Sequence, residues 1–268
     1  MADLFVTGPE GPIRPRGAEP VEPVRAVLFD FSGTLFQMAP YPDRVRAALG
    51  RPVGEAEMDR ILGGLEAGLA DPDVAAAQHG RDVSAPAHRH AFTTWYGSAP
   101  ELAPVAGALY DQLRTPEHWV PYTDTRETLG ALAAAGIGVG VVSDVGWDLR
   151  PTFAHHGLDD PVGAWVHSCD HGTEKPDPVL FRHACDVLGV TPGQALMVGD
   201  VPAKDGGAAA AGIRSYVLPA GQVPGSRRGL DAVLRLAGVP GSAGRRGGVR
   251  APSRSSGSRR GSGSDRTS

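Results

Sequence analysis

Val27-Leu28-Phe29-Asp30-Phe31-Ser32-Gly33-Thr34-Leu35 is an apolar run that ends on an acid and then turns. The apolar residues before Asp30 predict a buried strand over Ala26–Phe29, and Gly33 supplies the backbone freedom for a tight exit. In an open α/β sheet, chemistry gathers where strands end at their carboxyl edge. Asp30 is then held rigidly over the crevice, as a covalent nucleophile or a metal ligand. The plainer reading, that Asp30 only starts a turn, fits this segment equally well.

Three further segments repeat the pattern. Gly138-Val139-Gly140-Val141-Val142 leads into Ser143-Asp144, and Ala195-Leu196-Met197-Val198 leads into Gly199-Asp200, with Asp205 five residues on. Between them, Glu174-Lys175-Pro176-Asp177-Pro178 sets a lysine before a proline-bracketed helix start. In this order and spacing the four segments resemble the signature motifs of the haloacid dehalogenase superfamily. The resemblance spans residues 25–218. It implies a hydrolase with a Rossmann-like core and a helical cap inserted after the first strand.

Strands are expected at Ala26–Phe29, 137–142, 164–167, 195–198 and 214–218, with helices at 124–135, Pro178–Leu188 and 205–211. That alternation predicts an α/β fold, a doubly wound parallel sheet covered on both faces. The stretch between the first two strands is too long for a loop and reads as helical, at 55–69, 85–96 and 101–113. The expected organisation is a flexible lead over 1–24, a core of 25–36 and 120–240, a cap of 37–119 and a disordered tail over 241–268.

Composition narrows the class. The chain has 268 residues and a net charge of −4, and nothing in it approaches the ~20 apolar residues of a membrane span. Its opening residues are proline-rich with no apolar block of signal-peptide length, and its two cysteines make no disulfide framework. A cytoplasmic protein without membrane attachment is expected. The tail carries seven arginines against one aspartate, which leaves the rest of the chain near −10. Solvated disorder is the expectation there, with weak electrostatic contact to nucleic acid but no specific nucleic-acid site. A monomer or homodimer is expected.

Of the 26 basic residues only Lys175 and Lys204 are lysines. A compact ammonium on a movable stem differs from a planar guanidinium, so lysine at 175 marks a site that uses that geometry. Lys204 reads as a surface residue.

The resemblance assigns roles. Asp30 attacks the phosphorus of a small-molecule phosphate ester and also binds Mg²⁺, joined by the Ser32 carbonyl, Asp200 and Asp205. Thr34 and Ser143 donate to the phosphate, Lys175 screens Asp30 from the incoming anion, and Gly199 lets Asp200 approach closely. Asp205 also fits a helix-starting acid favoured by the macrodipole. All-oxygen ligands with waters retained suit magnesium.

Ser32 departs from the family pattern. Phosphatases of the superfamily usually carry a second aspartate there, as acid to the leaving group and then base to water. A serine hydroxyl is too weak an acid for that work, and losing such a group typically costs ~10²–10⁴-fold in rate. The expectation is therefore a slow phosphatase, one restricted to good leaving groups, or one using a substrate or cap group as acid. Two alternatives stay open. A 2-haloacid dehalogenase needs no leaving-group acid, but that branch lacks the acidic metal cradle. A binding or regulatory protein would keep the cradle without turnover. Cap residues able to recognise substrate are His79, Arg81, His88, Arg89, His90, Trp95 and Tyr96, and His88-Arg89-His90 could bind an anion, but the expectation is solvated helix surface for most of them and cap core for Trp95 and Tyr96.

Overall fold

The computed structural model describes residues 22–219 and 223–240. The tail from 241 and nearly all of the N-terminal lead lie outside these residues. Five parallel strands make the central sheet: β1 (Ala26–Phe29), β4 (Gly138–Ser143), β5 (Val162–His167), β6 (Ala195–Gly199) and β7 (Arg214–Val217), in the order β5-β4-β1-β6-β7. A short antiparallel pair, β2 (Phe36–Met38) and β3 (Trp119–Pro121), stands apart from it. The expected parallel α/β fold is the observed one.

β1 sits at the centre because it is apolar on both faces. Val27 and Phe29 enter one cluster with Leu129, Leu132, Phe153 and Val233, while Leu28 enters the other with Met197, Leu180 and Phe181. Alternating side chains thus feed two cores, as a doubly covered parallel sheet requires. In register, Phe29 lies beside Val141 of β4 and Val198 of β6, so the three strands run out toward the same edge, β4 two residues and β6 one residue beyond β1.

Between β2 and β3 the chain forms α1 (Tyr41–Leu49), α2 (Glu55–Gly68), α3 (Pro72–Gln78), α4 (Ala85–Gly97) and α5 (Ala106–Leu113). These helices bury a cluster of their own, with Val45, Ile61, Leu65, Tyr96, Leu102 and Leu109 at its centre. The sheet is covered by α6 (Thr125–Ala134), α7 (Arg150–His155), α8 (Ser168–His171), α9 (Pro178–Leu188), α10 (Pro202–Asp205) and α11 (Asp231–Leu236). The helix expected at 205–211 is instead α10 followed by a 3₁₀ run over Gly206–Ala211. Consecutive glycines at 206 and 207 weaken the α-helical alternative there.

Candidate active site

Each central strand delivers one chemical group to the sheet's carboxyl edge. Asp30 follows β1, Ser143 ends β4 and Asp200 follows β6, and these three line one cavity with Ser32, Asp144, Lys175 and Lys204. The Asp30 amide donates to the Val198 carbonyl at 2.9 Å, so the sheet ladder itself fixes the acid's backbone.

At the centre is Lys175. Its buried Nζ donates to Asp30 Oδ1 at 2.7 Å and to Asp205 Oδ1 at 2.6 Å. The other Asp205 oxygen accepts from the Val201 amide at 2.9 Å, so both its oxygens are engaged. Asp200 differs, because its Oδ1 is buried with no hydrogen-bond partner among the described residues. The carboxylates of Asp30, Asp200 and Asp205 lie within 4.8 Å of one another. Three acids against one ammonium leave excess negative charge on oxygen ligands. That donor set fits a hard divalent cation, and the orphaned Asp200 oxygen is the group such an ion would satisfy.

The electrostatics carry the same message. Burial pushes the Asp30 carboxyl up to about 6, opposed by Lys175 and reinforced by Asp205 and Asp200. Burial also raises Asp200, with Arg228 pulling it the other way. For Lys175, burial works against the charged form, but Asp30, Asp205 and Asp144 outweigh it and hold the ammonium above its ordinary value.

Two glycines make the approach possible. Gly33 has φ +79°, and a Cβ there would lie 2.2 Å from Asp200 Oδ2. A Cβ on Gly199 would lie 2.1 Å from Asp205 Cγ. The sequence expectation gave Gly199 to Asp200; the close approach it permits is that of Asp205, and Gly33 serves Asp200. Thr34 is buried, its hydroxyl has no partner among the described residues, and it does not line the cavity, whereas Ser143 does.

Residues 24–212 match the model of a family described as haloacid dehalogenase-like hydrolase. The chain belongs to that family. It is 34% identical over 208 residues to the phosphoglycolate phosphatase of Rhodospirillum rubrum, covering 74% of this chain and 80% of that protein. Among solved structures it is similar to an HAD phosphatase from Thermococcus onnurineus, at TM-score 0.53 and 25% identity over 81% of this chain and 100% of that one. It is also similar to the L-2-haloacid dehalogenase of Xanthobacter autotrophicus, at TM-score 0.56 and 25% identity over 73% and 77% of the respective chains.

In this haloacid dehalogenase-like hydrolase, several residues reach the site that sequence reasoning did not place there. Lys204, expected on the surface, donates to Asp144 Oδ2 at 2.6 Å and to Asp82 Oδ2 at 3.3 Å. Asp82 comes from the helical insertion, and the Ser168 hydroxyl donates to its carbonyl at 2.6 Å. The insertion is thereby tied to the core directly over the cavity. Arg228, beyond the last strand, donates from Nε to the Gly33 carbonyl at 2.6 Å. Its segment is held by Asp124, whose carboxylate accepts the amides of Arg228, Gly229 and Leu230 at 2.8–2.9 Å. Only the lysine rarity at 204 signalled any of this in the sequence.

His88, Arg89 and His90 form no anion cluster. His88 is buried beside Tyr110 and Asp82, while Arg89 points outward to Asp111 and His90 is exposed. Consecutive helical residues face different directions, which separates them. Tyr96 is fully buried in the insertion's core, with Trp95 packed against it. Among the described residues no helix is long and apolar enough to cross a membrane.

Proposed function

We propose that this chain is a magnesium-dependent phosphatase that moves a phosphoryl group from a small phosphate ester to Asp30 and then to water. The observation that carries the reading is Asp30, paired with buried Lys175 at 2.7 Å beside an Asp200 oxygen with no partner among the described residues. The likeness to a bacterial phosphoglycolate phosphatase over four-fifths of that protein's length supports it.

Asp30, Asp200 and the Ser32 carbonyl would hold the ion, and Asp205, already bonded to Lys175 and the Val201 amide, would complete the acidic set. Magnesium supplies there the positive charge that lets a phosphate dianion meet a carboxylate. An Asp30 oxygen bonds to phosphorus while the ester P–O bond breaks, and the leaving oxygen takes the electron pair. Lys175 keeps Asp30 ionised and stabilises charge on the transferred group. The Ser143 hydroxyl donates to a phosphoryl oxygen. A water then attacks phosphorus, releasing inorganic phosphate and restoring the Asp30 carboxylate. Ser32 cannot protonate the leaving oxygen, so turnover favours esters whose alcohol leaves as an anion. The helices of the insertion act as the cap, with Asp82 and Lys204 at its seam.

The dehalogenase reading has one observation in its favour, since halide leaves without a proton and no carboxyl stands at position 32. A single assay separates the two. Phosphate release from aryl and alkyl phosphates is measured with magnesium and with chelator, beside halide release from 2-chloropropionate. Magnesium-dependent phosphate release without halide release is expected. Halide release that persists in chelator, with no phosphate released, would replace the reading.

A further inference from the structure

Beside the carboxylate centre, beneath α1 and α4, lies a second cavity of about 310 Å³. It shares Ser32, Arg81, Asp82, Ser143 and Asp144 with the first, so it adjoins the place where an ester's leaving group would sit. Its wall is aromatic, made by Tyr41, Phe92, Trp95, Tyr96, Trp119 and Trp147. A planar apolar body fits such a lining.

One charged group in this wall lacks a counter-charge. Arg44, on α1, is 4% exposed and lines the cavity. Its guanidinium lies 4.9 Å from the Tyr41 ring centroid, its Nη2 makes two long hydrogen bonds, to the Tyr96 hydroxyl at 3.4 Å and the Leu109 carbonyl at 3.3 Å, and its Nε is buried with no acceptor among the described residues. Among the described residues no carboxylate pairs with it. The acids nearby are already neutralised. Asp82 is flanked by Arg81 and Lys204, each at 3.3 Å, and Asp144 holds Lys204 at 2.6 Å. The Trp147 indole N–H, from the same wall, is likewise buried without an acceptor among the described residues.

A guanidinium stays charged at any ordinary pH, and burying it unpaired is costly. The planar acceptor that matches its fork is a carboxylate. Ser32 adds a chemical constraint, because without a positioned acid the leaving group departs as an anion. A phenolate does so far more readily than an alkoxide, since phenols ionise near pH ~10 as tyrosine does.

We propose that the substrates are aryl phosphate esters carrying a carboxylate on the ring, with the ring in the aromatic cavity and the carboxylate on Arg44. This rests on the phosphatase reading above and specifies its substrate class. The Asp30–phosphorus bond forms as the phosphorus–aryl oxygen bond breaks. The phenolate leaves with the electron pair and takes a proton from solvent, and water then frees phosphate from Asp30.

Two measurements test it. The first titrates benzoate and benzamide into the native protein and Arg44→Gln, read by the fluorescence of the tryptophans in the wall. Native protein is expected to bind benzoate about tenfold or more tighter than benzamide, with that preference lost in Arg44→Gln and partly kept in Arg44→Lys. The second compares kcat/KM for phenyl phosphate and for 3- and 4-carboxyphenyl phosphate, where the native enzyme is expected to favour a carboxylated ester by a similar factor. Should Arg44→Gln fail to fold, the native comparison still decides. Turnover with no carboxylate preference in rate or binding would overturn the assignment and leave the phosphatase reading standing. Selective benzoate binding without hydrolysis of any ester would keep Arg44's role and remove the phosphatase reading. A preference that survives in folded Arg44→Gln would also overturn it.

Discussion

At Asp200 the fold carries an unresolved charge. Burial raises this carboxyl's pKa, and one of its oxygens has no partner among the described residues, so at neutral pH its ionised form weighs against folding whenever no cation is bound. Asp200→Asn is therefore expected to raise the thermal midpoint in chelator by about 2–4 °C, and to erase the stabilisation that magnesium gives the native protein. Differential scanning calorimetry with and without the ion reads both effects; a lower midpoint in chelator would show that the carboxylate is satisfied some other way. Ser32 offers a second test at this scale. Its side chain is exposed and lines the cavity, so a carboxyl there has room. Ser32→Asp should hydrolyse phosphate esters at least as fast as the native enzyme, and faster for alkyl esters. A loss of tenfold or more would mean the serine itself is used.

Elements explain which parts of this arrangement were legible in the sequence. β1 and β6 stood out because a strand buried on both faces is apolar throughout, and each run stops on the acid it presents, Asp30 or Asp200. Lys175 was legible because lysine is rare in this chain. The first insertion helix was not, because Pro40-Tyr41-Pro42 resembles a break. Proline at the first or second helical position instead starts a helix, as it does in α1, α3, α4, α7, α9 and α10. Arg228, Lys204 and Asp82 reach the site from loops or from short helical turns whose position depends on tertiary packing, which no local pattern encodes. Within α4, His88 gives a pH test. Burial, against the pull of Asp82, holds its imidazole down at about 4, from an ordinary 6.5. Between those values the unfolded chain takes up a proton that the folded chain refuses. Its contribution is thus complete above about 6.5 and is lost as pH falls toward 4, by a few kcal/mol at most. The native midpoint should fall relative to His88→Gln across that window, and parallel midpoints would contradict the assignment.

On the scale of the whole molecule, the insertion's hydrophobic core meets one of the two sheet cores beside a polar seam. Met38 and Trp147 pack against both clusters, and Lys204 stands between Asp144 of the core and Asp82 of the insertion. Burial opposes the Lys204 charge, but the two acids outweigh it and raise its pKa, so the contact persists across neutral pH. Lys204→Met should loosen the insertion, seen as faster hydrogen–deuterium exchange over Arg81–Val83. Unchanged exchange would show that the Ser168 bond to the Asp82 carbonyl suffices. The central claim is that distant segments converge so that Asp30 carries the phosphoryl group. Its most direct test is acid quenching of the enzyme during turnover of an aryl phosphate with magnesium, followed by borohydride reduction and peptide mapping by mass spectrometry. Reduction of residue 30 to homoserine, absent in chelator, is the predicted result. Steady phosphate release with residue 30 unmodified, or with the label on another side chain, would contradict it.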